Sequence, residues 1–170
     1  HDYIEMTTSG TTGTPKTVRI DKQAMVHSAL ATGDFFGLEP GDRALHCLPV
    51  KFIAGKMMLV RAMILGLDID FVAPNATPLA RRQDAQYDFV AMVPLQVEHS
   101  LTELHNVKTL IVGGAGISKT LLKALQKLPT QVYETYGMTE TITHIAARKV
   151  GDKAFTVLPG VTLSYDDNNC

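Results

Sequence analysis

The sequence predicts an α/β fold: a mostly parallel sheet with helices on both faces. Three observations carry this. Short apolar runs of strand length recur at residues 44–48, 69–72, 89–93, 109–112 and 132–135. Helical patterns fall between them at 55–65, 79–85, 96–104 and 118–128, and alternating β and α units pack as a parallel sheet covered on both sides. Finally, 45% of the 170 residues are apolar, enough for one continuous core.

Taken in order, residues 3–8 read as a short strand and 17–20 alternate as a second, with a loop of Ser, Thr, Gly and Pro between them. Asp21 is a good N-cap for a helix running to Phe36, with Val26, Ala29, Leu30 and Gly33 on one face. Gly37 and then Pro40-Gly41 stop it. The cleanest helical pattern is 118–128. Ser118 caps it, Leu121, Leu122, Leu125 and Leu128 form the core stripe, Lys119, Lys123 and Lys127 face water, and Pro129 ends it. In such sheets ligands gather at the carboxyl ends of the strands.

Composition excludes several classes. Sixteen basic and seventeen acidic residues leave a net charge of −1 with no basic run, so bulk attraction to nucleic acid or anionic lipid is not expected. The longest apolar stretch, 53–67, is interrupted by Lys56 and Arg61 and does not read as a membrane span. Cys47 and Cys170 have no metal or redox spacing and fit reduced thiols in a cytoplasm. Charged residues are only 19%, below the roughly 25% of average proteins. Exposed apolar surface, and with it a homo-oligomer, follows as an expectation. The chain begins at His1 rather than Met, and reads as the core of a longer protein.

Three loops could carry chemistry. The first is Thr7-Thr8-Ser9-Gly10-Thr11-Thr12-Gly13-Thr14-Pro15-Lys16. Glycines free successive N–H groups to point at an anion, the hydroxyls add donors, and Lys16 adds a compact positive charge. A flexible linker explains the Gly and Thr equally well, but not a lysine closing so short a loop. An ordinary P-loop fails, because Pro15 stands where its second glycine belongs and Val18-Arg19-Ile20 continues as a strand. The second loop, Gly113-Gly114-Ala115-Gly116, lets a flat group lie against the backbone. It is no dinucleotide fingerprint, since the third glycine would fall at Lys119, and a tight strand-to-helix turn explains it as well. The third, Tyr133-Glu134-Thr135-Tyr136-Gly137-Met138-Thr139-Glu140-Thr141, sets an aromatic ring, a hydroxyl and a carboxylate at a strand end. These could stack on a base and ligate Mg²⁺, or simply form a solvated turn.

Together the loops resemble the acyl-adenylate-forming superfamily, which includes acyl-CoA synthetases and the adenylation domains of peptide synthetases. Thr8 to Lys16 matches its pattern [ST]-[ST]-G-[ST]-[ST]-G-x-P-K throughout. Tyr136-Gly137-Met138-Thr139-Glu140 matches its Y-G-x-T-E segment, Gly113-Gly114-Ala115 its adenine loop, and Leu158-Pro159-Gly160 the short loop that follows. The resemblance implies a cytoplasmic enzyme using ATP, Mg²⁺ and coenzyme A, which activates a carboxylate as an acyl-adenylate and then forms a thioester. It implies that Thr8, Ser9, Gly10, Thr11, Thr12, Gly13 and Lys16 bind phosphates and that Gly113, Gly114, Ala115, Tyr136 and Gly137 hold the adenine. Thr139 would contact the α-phosphate and Glu140 would ligate Mg²⁺, with Lys16, Thr139 and Glu140 serving the chemistry.

Within the superfamily the chain is most similar to the o-succinylbenzoate–CoA ligases of menaquinone biosynthesis, through Leu48-Pro49-Val50-Lys51-Phe52-Ile53-Ala54-Gly55 and residues 136–146. Arg61 matches an arginine that meets the substrate's second carboxylate there, and Gly114 would line the same acid pocket. Lys51-Phe52 replaces the Phe-His that many relatives carry. The resemblance implies a partial ATP-binding core: residues 1–20 a phosphate loop between two strands, 21–150 the βα units, 151–170 the start of the next segment, and the small C-terminal domain absent. Alone, such a piece would turn over little or nothing. Two alternatives stay open, a ligase for another aromatic or short-chain acid and a non-catalytic nucleotide-binding module.

Overall fold

The computed structural model describes residues 1–7, 16–80, 82 and 84–164. Tyr3–Thr7 (β1) and Thr17–Asp21 (β2) form a separate antiparallel hairpin, with Thr7 opposite Thr17. Seven strands make the main sheet: Arg43–His46 (β3), Asp68–Phe71 (β4), Tyr87–Met92 (β5), Val107–Val112 (β6), Gln131–Gly137 (β7), His144–Lys149 (β8) and Thr156–Val157 (β9). Their order is β4-β3-β5-β6-β7-β8-β9. The first five run parallel, while β8 and β9 are antiparallel to their neighbours.

Helices Lys22–Phe36 (α1) and Ile53–Leu65 (α2) cover one face, and Pro94–Glu98 (α3) and Lys119–Leu125 (α4) the other. The strands show why both faces need cover. Phe89 and Ala91 of β5 and Ile111 of β6 pack with Met58 and Ala62 of α2, whereas Val90, Met92, Leu110 and Val112 pack with Val97, Leu121 and Leu125. A seven-residue helix such as α4 is marginal alone. Leu121 and Leu125, each contributing about 1.5–3 kcal/mol on burial, and the Ser118 cap on the Leu121 N–H hold it.

The Asp21 cap and the Gly37 stop of α1 are as the sequence predicts, with Asp21 Oδ1 accepting from the Ala24 N–H at 2.8 Å and Gly37 left-handed at φ 63°. Its buried face is rotated, however: Met25, Ala29, Thr32 and Gly33 point inward, and Leu30 is exposed. The expected helix at 79–85 is not formed among the described residues. Arg82 pins that segment instead, donating to Tyr87 Oη, Asp70 Oδ2 and the Phe71 carbonyl. The pattern at 96–104 splits into α3, begun early by Pro94 at its first position, and a 3₁₀ turn at Leu104–Asn106. α4 ends at Leu125, and i→i+3 bonds from Lys127 and Leu128 tighten the chain before Pro129. Strands β8 and β9 lie beyond the runs that the sequence pattern predicts. No helix among the described residues is long and apolar enough to cross a membrane. Met63, Phe71 and Leu95 are large apolar side chains left exposed.

Candidate active site at the strand ends

β6 ends at Val112 opposite Glu134, while β7 continues to Gly137, so the chain leaving β6 runs out beside the last residues of β7. Gly113, Gly114 and Ala115 emerge from β6 beside Thr135 and Tyr136 of β7. Gly113 sits so close that a Cβ there would lie 2.6 Å from Thr135 Oγ1. The Tyr136 ring is 56% exposed and meets Phe155 edge-on at 6.2 Å. Phe155 in turn lies under the Arg148 guanidinium, which is paired to Glu134. The second and third predicted loops are thus neighbours, with the aromatic ring propped from the β8 side.

The connection from β7 to β8 holds Met138, Thr139 and Glu140 in a tight turn. Thr141 Oγ1 accepts from the Met138 N–H at 2.9 Å, and the Ile142 N–H donates to the Thr139 carbonyl at 3.0 Å. The Thr143 N–H then bonds the Thr141 carbonyl at 2.8 Å, two residues back, with Ile142 between them at φ 70°. Positive φ at a β-branched residue is rare and strained. The Ile142 side chain offsets it by packing against the cluster of Met6, Ile20, Met25, Ala29 and Met57. Met6 and Ile20 belong to the β1–β2 hairpin, so the stem of the first loop rests on the residue two beyond Glu140. Thr8, Ser9, Gly10, Thr11, Thr12 and Gly13 themselves lie outside the described residues. Lys16 stands exposed immediately before β2, and Glu140 is exposed at the turn. Mg²⁺ commonly takes one or two carboxylates together with phosphate oxygens, and the Glu140 carboxylate is of that kind.

Beneath this turn lies a buried cation. Arg61 of α2 is 1% exposed, and among the described residues no carboxylate pairs with it. Its Nε donates to Thr32 Oγ1 at 3.3 Å and its Nη1 to Met58 Sδ at 3.7 Å. Nη2 lies 3.1 Å from Thr143 Oγ1 and 3.4 Å from His144 Nδ1. Burial pushes the guanidinium pKa down to about 10, which leaves it charged at neutral pH. His144, also buried, is held down to about 3 by burial and then by the Arg61 charge. The sequence marks Arg61 but not Thr32 or Thr143. They come from α1 and the turn just before β8, positions 29 and 82 residues away, and no local pattern joins them. At the other end of the predicted acid segment, Lys51 Nζ sits 5.0 Å from the exposed Phe52 ring at the start of α2.

The loops after β6 and β7 lie at the carboxyl ends of parallel strands, where ligands of such sheets gather. A solved acyl-CoA synthetase (AMP-forming)/AMP-acid ligase II-like protein from Dyadobacter fermentans matches 99% of this chain and 51% of its own, with a TM-score of 0.89 and 38% identity. The family model for AMP-binding enzymes matches residues 3–165, and the chain belongs to that family. Among curated relatives, the 2-succinylbenzoate–CoA ligase of Listeria monocytogenes is 28% identical over 95% of this chain. That of Staphylococcus aureus is 30% identical over 80% of it. The chain spans 38% and 29% of their respective lengths. The o-succinylbenzoate coenzyme A synthetase of Bacillus subtilis, solved with ATP and magnesium ion, is 25% identical with a TM-score of 0.76, matching 86% of this chain and 32% of its own.

Proposed function

We propose that the full-length protein is an ATP-dependent acid–CoA ligase, and that the acid is o-succinylbenzoate. The buried Arg61 charge carries this reading. Holding an unpaired cation out of water costs several kcal/mol, and a second carboxylate on the substrate would offset that cost. Thr143, the more open of its partners, follows Glu140 by three residues and so links the Thr139–Glu140 turn to Arg61.

In this reading one carboxylate of the acid attacks the α-phosphorus of ATP. A carbon–oxygen–phosphorus link forms, the bond to pyrophosphate breaks, and a thiol of coenzyme A then takes the acyl group and releases AMP. Residues 8–13 and Lys16 hold phosphates, Gly113, Gly114, Ala115, Tyr136 and Gly137 hold the adenine, and Thr139 meets the α-phosphate. Glu140 would hold Mg²⁺, which when bound offsets charge as one anion attacks another. Gly114, left-handed at φ 83°, lines the acid pocket. Residues 1–170 supply the nucleotide-binding core, and the buried free thiol of Cys47 suits a cytoplasmic setting. The test is Arg61→Ala in the full-length enzyme. Losing a charge-assisted pair costs on the order of 2 kcal/mol, or about thirtyfold in KM for o-succinylbenzoate. The KM for ATP and for the same acid without its ring carboxylate should hardly move. Equal effects on both acids would make the arginine structural.

A further inference from the structure

His144 has a proton arrangement that its contacts fix. Arginine is a donor at every nitrogen, so His144 Nδ1, 3.4 Å from Arg61 Nη2, can only accept. Thr32 gives its hydroxyl proton to the Ser28 carbonyl at 2.8 Å, so its Oγ1 must accept from His144 Nε2 at 3.4 Å. Both constraints select the neutral imidazole with its proton on Nε2. A second donor faces the same Nδ1 lone pair, because the Thr143 hydroxyl lies 3.3 Å away. One lone pair serves one donor well, so either the Arg61 N–H or the Thr143 O–H is left over for an incoming acceptor. A carboxylate at position 144 would also accept these bonds, but it would neutralise Arg61 and compete with the substrate. A neutral acceptor orders the guanidinium and leaves its charge intact.

We propose that His144 is a positioning residue for acid recognition: it holds Arg61 and Thr143 as a paired donor set whose surplus hydrogen bond goes to the carboxylate that is not activated. This rests on the reading that Arg61 serves that carboxylate. Thr32 anchors both the His144 imidazole and the Arg61 guanidinium through a single oxygen, which is why a threonine occupies the buried face of α1.

The experiment compares His144→Leu, His144→Asn and Arg61→Ala in the full-length enzyme, with o-succinylbenzoate and with the same acid lacking its ring carboxylate. Asn places an amide oxygen near the Nδ1 position. His144→Leu should raise the KM for o-succinylbenzoate about tenfold, with the KM for ATP and for the monocarboxylate within about twofold, and His144→Asn should recover most of the loss. If His144→Leu does not fold, His144→Gln replaces it, since its amide sits at the Nε2 end and leaves Nδ1 without a substitute. An equal rise for both acids, or none, or Gln matching Asn, overturns the role of His144. If Arg61→Ala separates the two acids and the His144 variants do not, only His144 falls. If Arg61→Ala fails to separate them, both readings fall together.

Discussion

Gly137→Ala tests how the proposed adenine loop is tied to Thr143 and His144 beside Arg61. At Gly137 the β7–β8 pairing shifts register, and the Thr143–His144 backbone passes close to it there. A Cβ on residue 137 would lie 2.2 Å from the Thr143 carbonyl oxygen, 2.5 Å from His144 Cα and 2.6 Å from the Thr143 carbonyl carbon. All three are backbone atoms, so no rotamer change relieves the clash. Comfortable contact needs roughly 3.5 Å, and the Thr143–His144 backbone would therefore retreat by about 1 Å. Overpacking of this kind costs about 1–3 kcal/mol, and a backbone obstacle puts it near 3. For a domain of this size that lowers the unfolding midpoint by about 6–12 °C. The same retreat carries Thr143 and His144 away from Arg61, and a 1 Å misplacement near a reacting centre can cost about a hundredfold in rate. Differential scanning fluorimetry and pyrophosphate release on the full-length enzyme read the two effects. Gly116→Ala is the control, because a Cβ there meets nothing within 4 Å, and it should stay within about 0.5 kcal/mol. A Gly137→Ala enzyme with the parent's midpoint and turnover would refute the idea that this close approach sets the acid site.

Two other outcomes follow from the geometry. Glu140→Gln keeps the shape of an exposed turn residue and removes its charge, so adenylation should fall by orders of magnitude while added Mg²⁺ recovers part of it; full activity at low Mg²⁺ would take Glu140 out of the metal site. His144, held near 3 in the folded protein against 6.5 unfolded, takes up a proton on unfolding anywhere between those values. Stability therefore falls as pH drops below 6.5, by about 2 kcal/mol at pH 5, and denaturant midpoints at pH 7 and 5 should converge in His144→Asn relative to the parent.

The elements that the sequence reveals are those specified by neighbours in the chain. Ser118 and Asp21 announce their helices because a cap acts within three residues. Segment 79–85 looks helical by local pattern but is governed by Arg82 reaching back to Asp70 and the Phe71 carbonyl on β4, outside the segment's own pattern. β8 is hidden for a similar reason: Ile145-Ala146-Ala147-Arg148 is a weak strand pattern, and pairing with β7 supplies what propensity lacks. The rotated face of α1 follows from Thr32. A threonine reads as solvent-facing until the buried Arg61 that it serves is known. The three loop motifs are legible in the sequence because each is contiguous. The Arg61 cluster was only half legible, since a buried guanidinium draws its partners from three separate elements.

The most direct test is which acid the full-length protein converts to an acyl-adenylate. Trapping acyl-adenylate with hydroxylamine, using the full-length enzyme, ATP, Mg²⁺ and a panel of acids, reads this in one assay. The expected result is ATP-dependent hydroxamate from o-succinylbenzoate, with far less from the same acid lacking its ring carboxylate and from short-chain monocarboxylates. Equal or greater hydroxamate from the monocarboxylates would contradict the role given to Arg61. Nucleotide binding with no hydroxamate from any acid would contradict the ligase assignment itself.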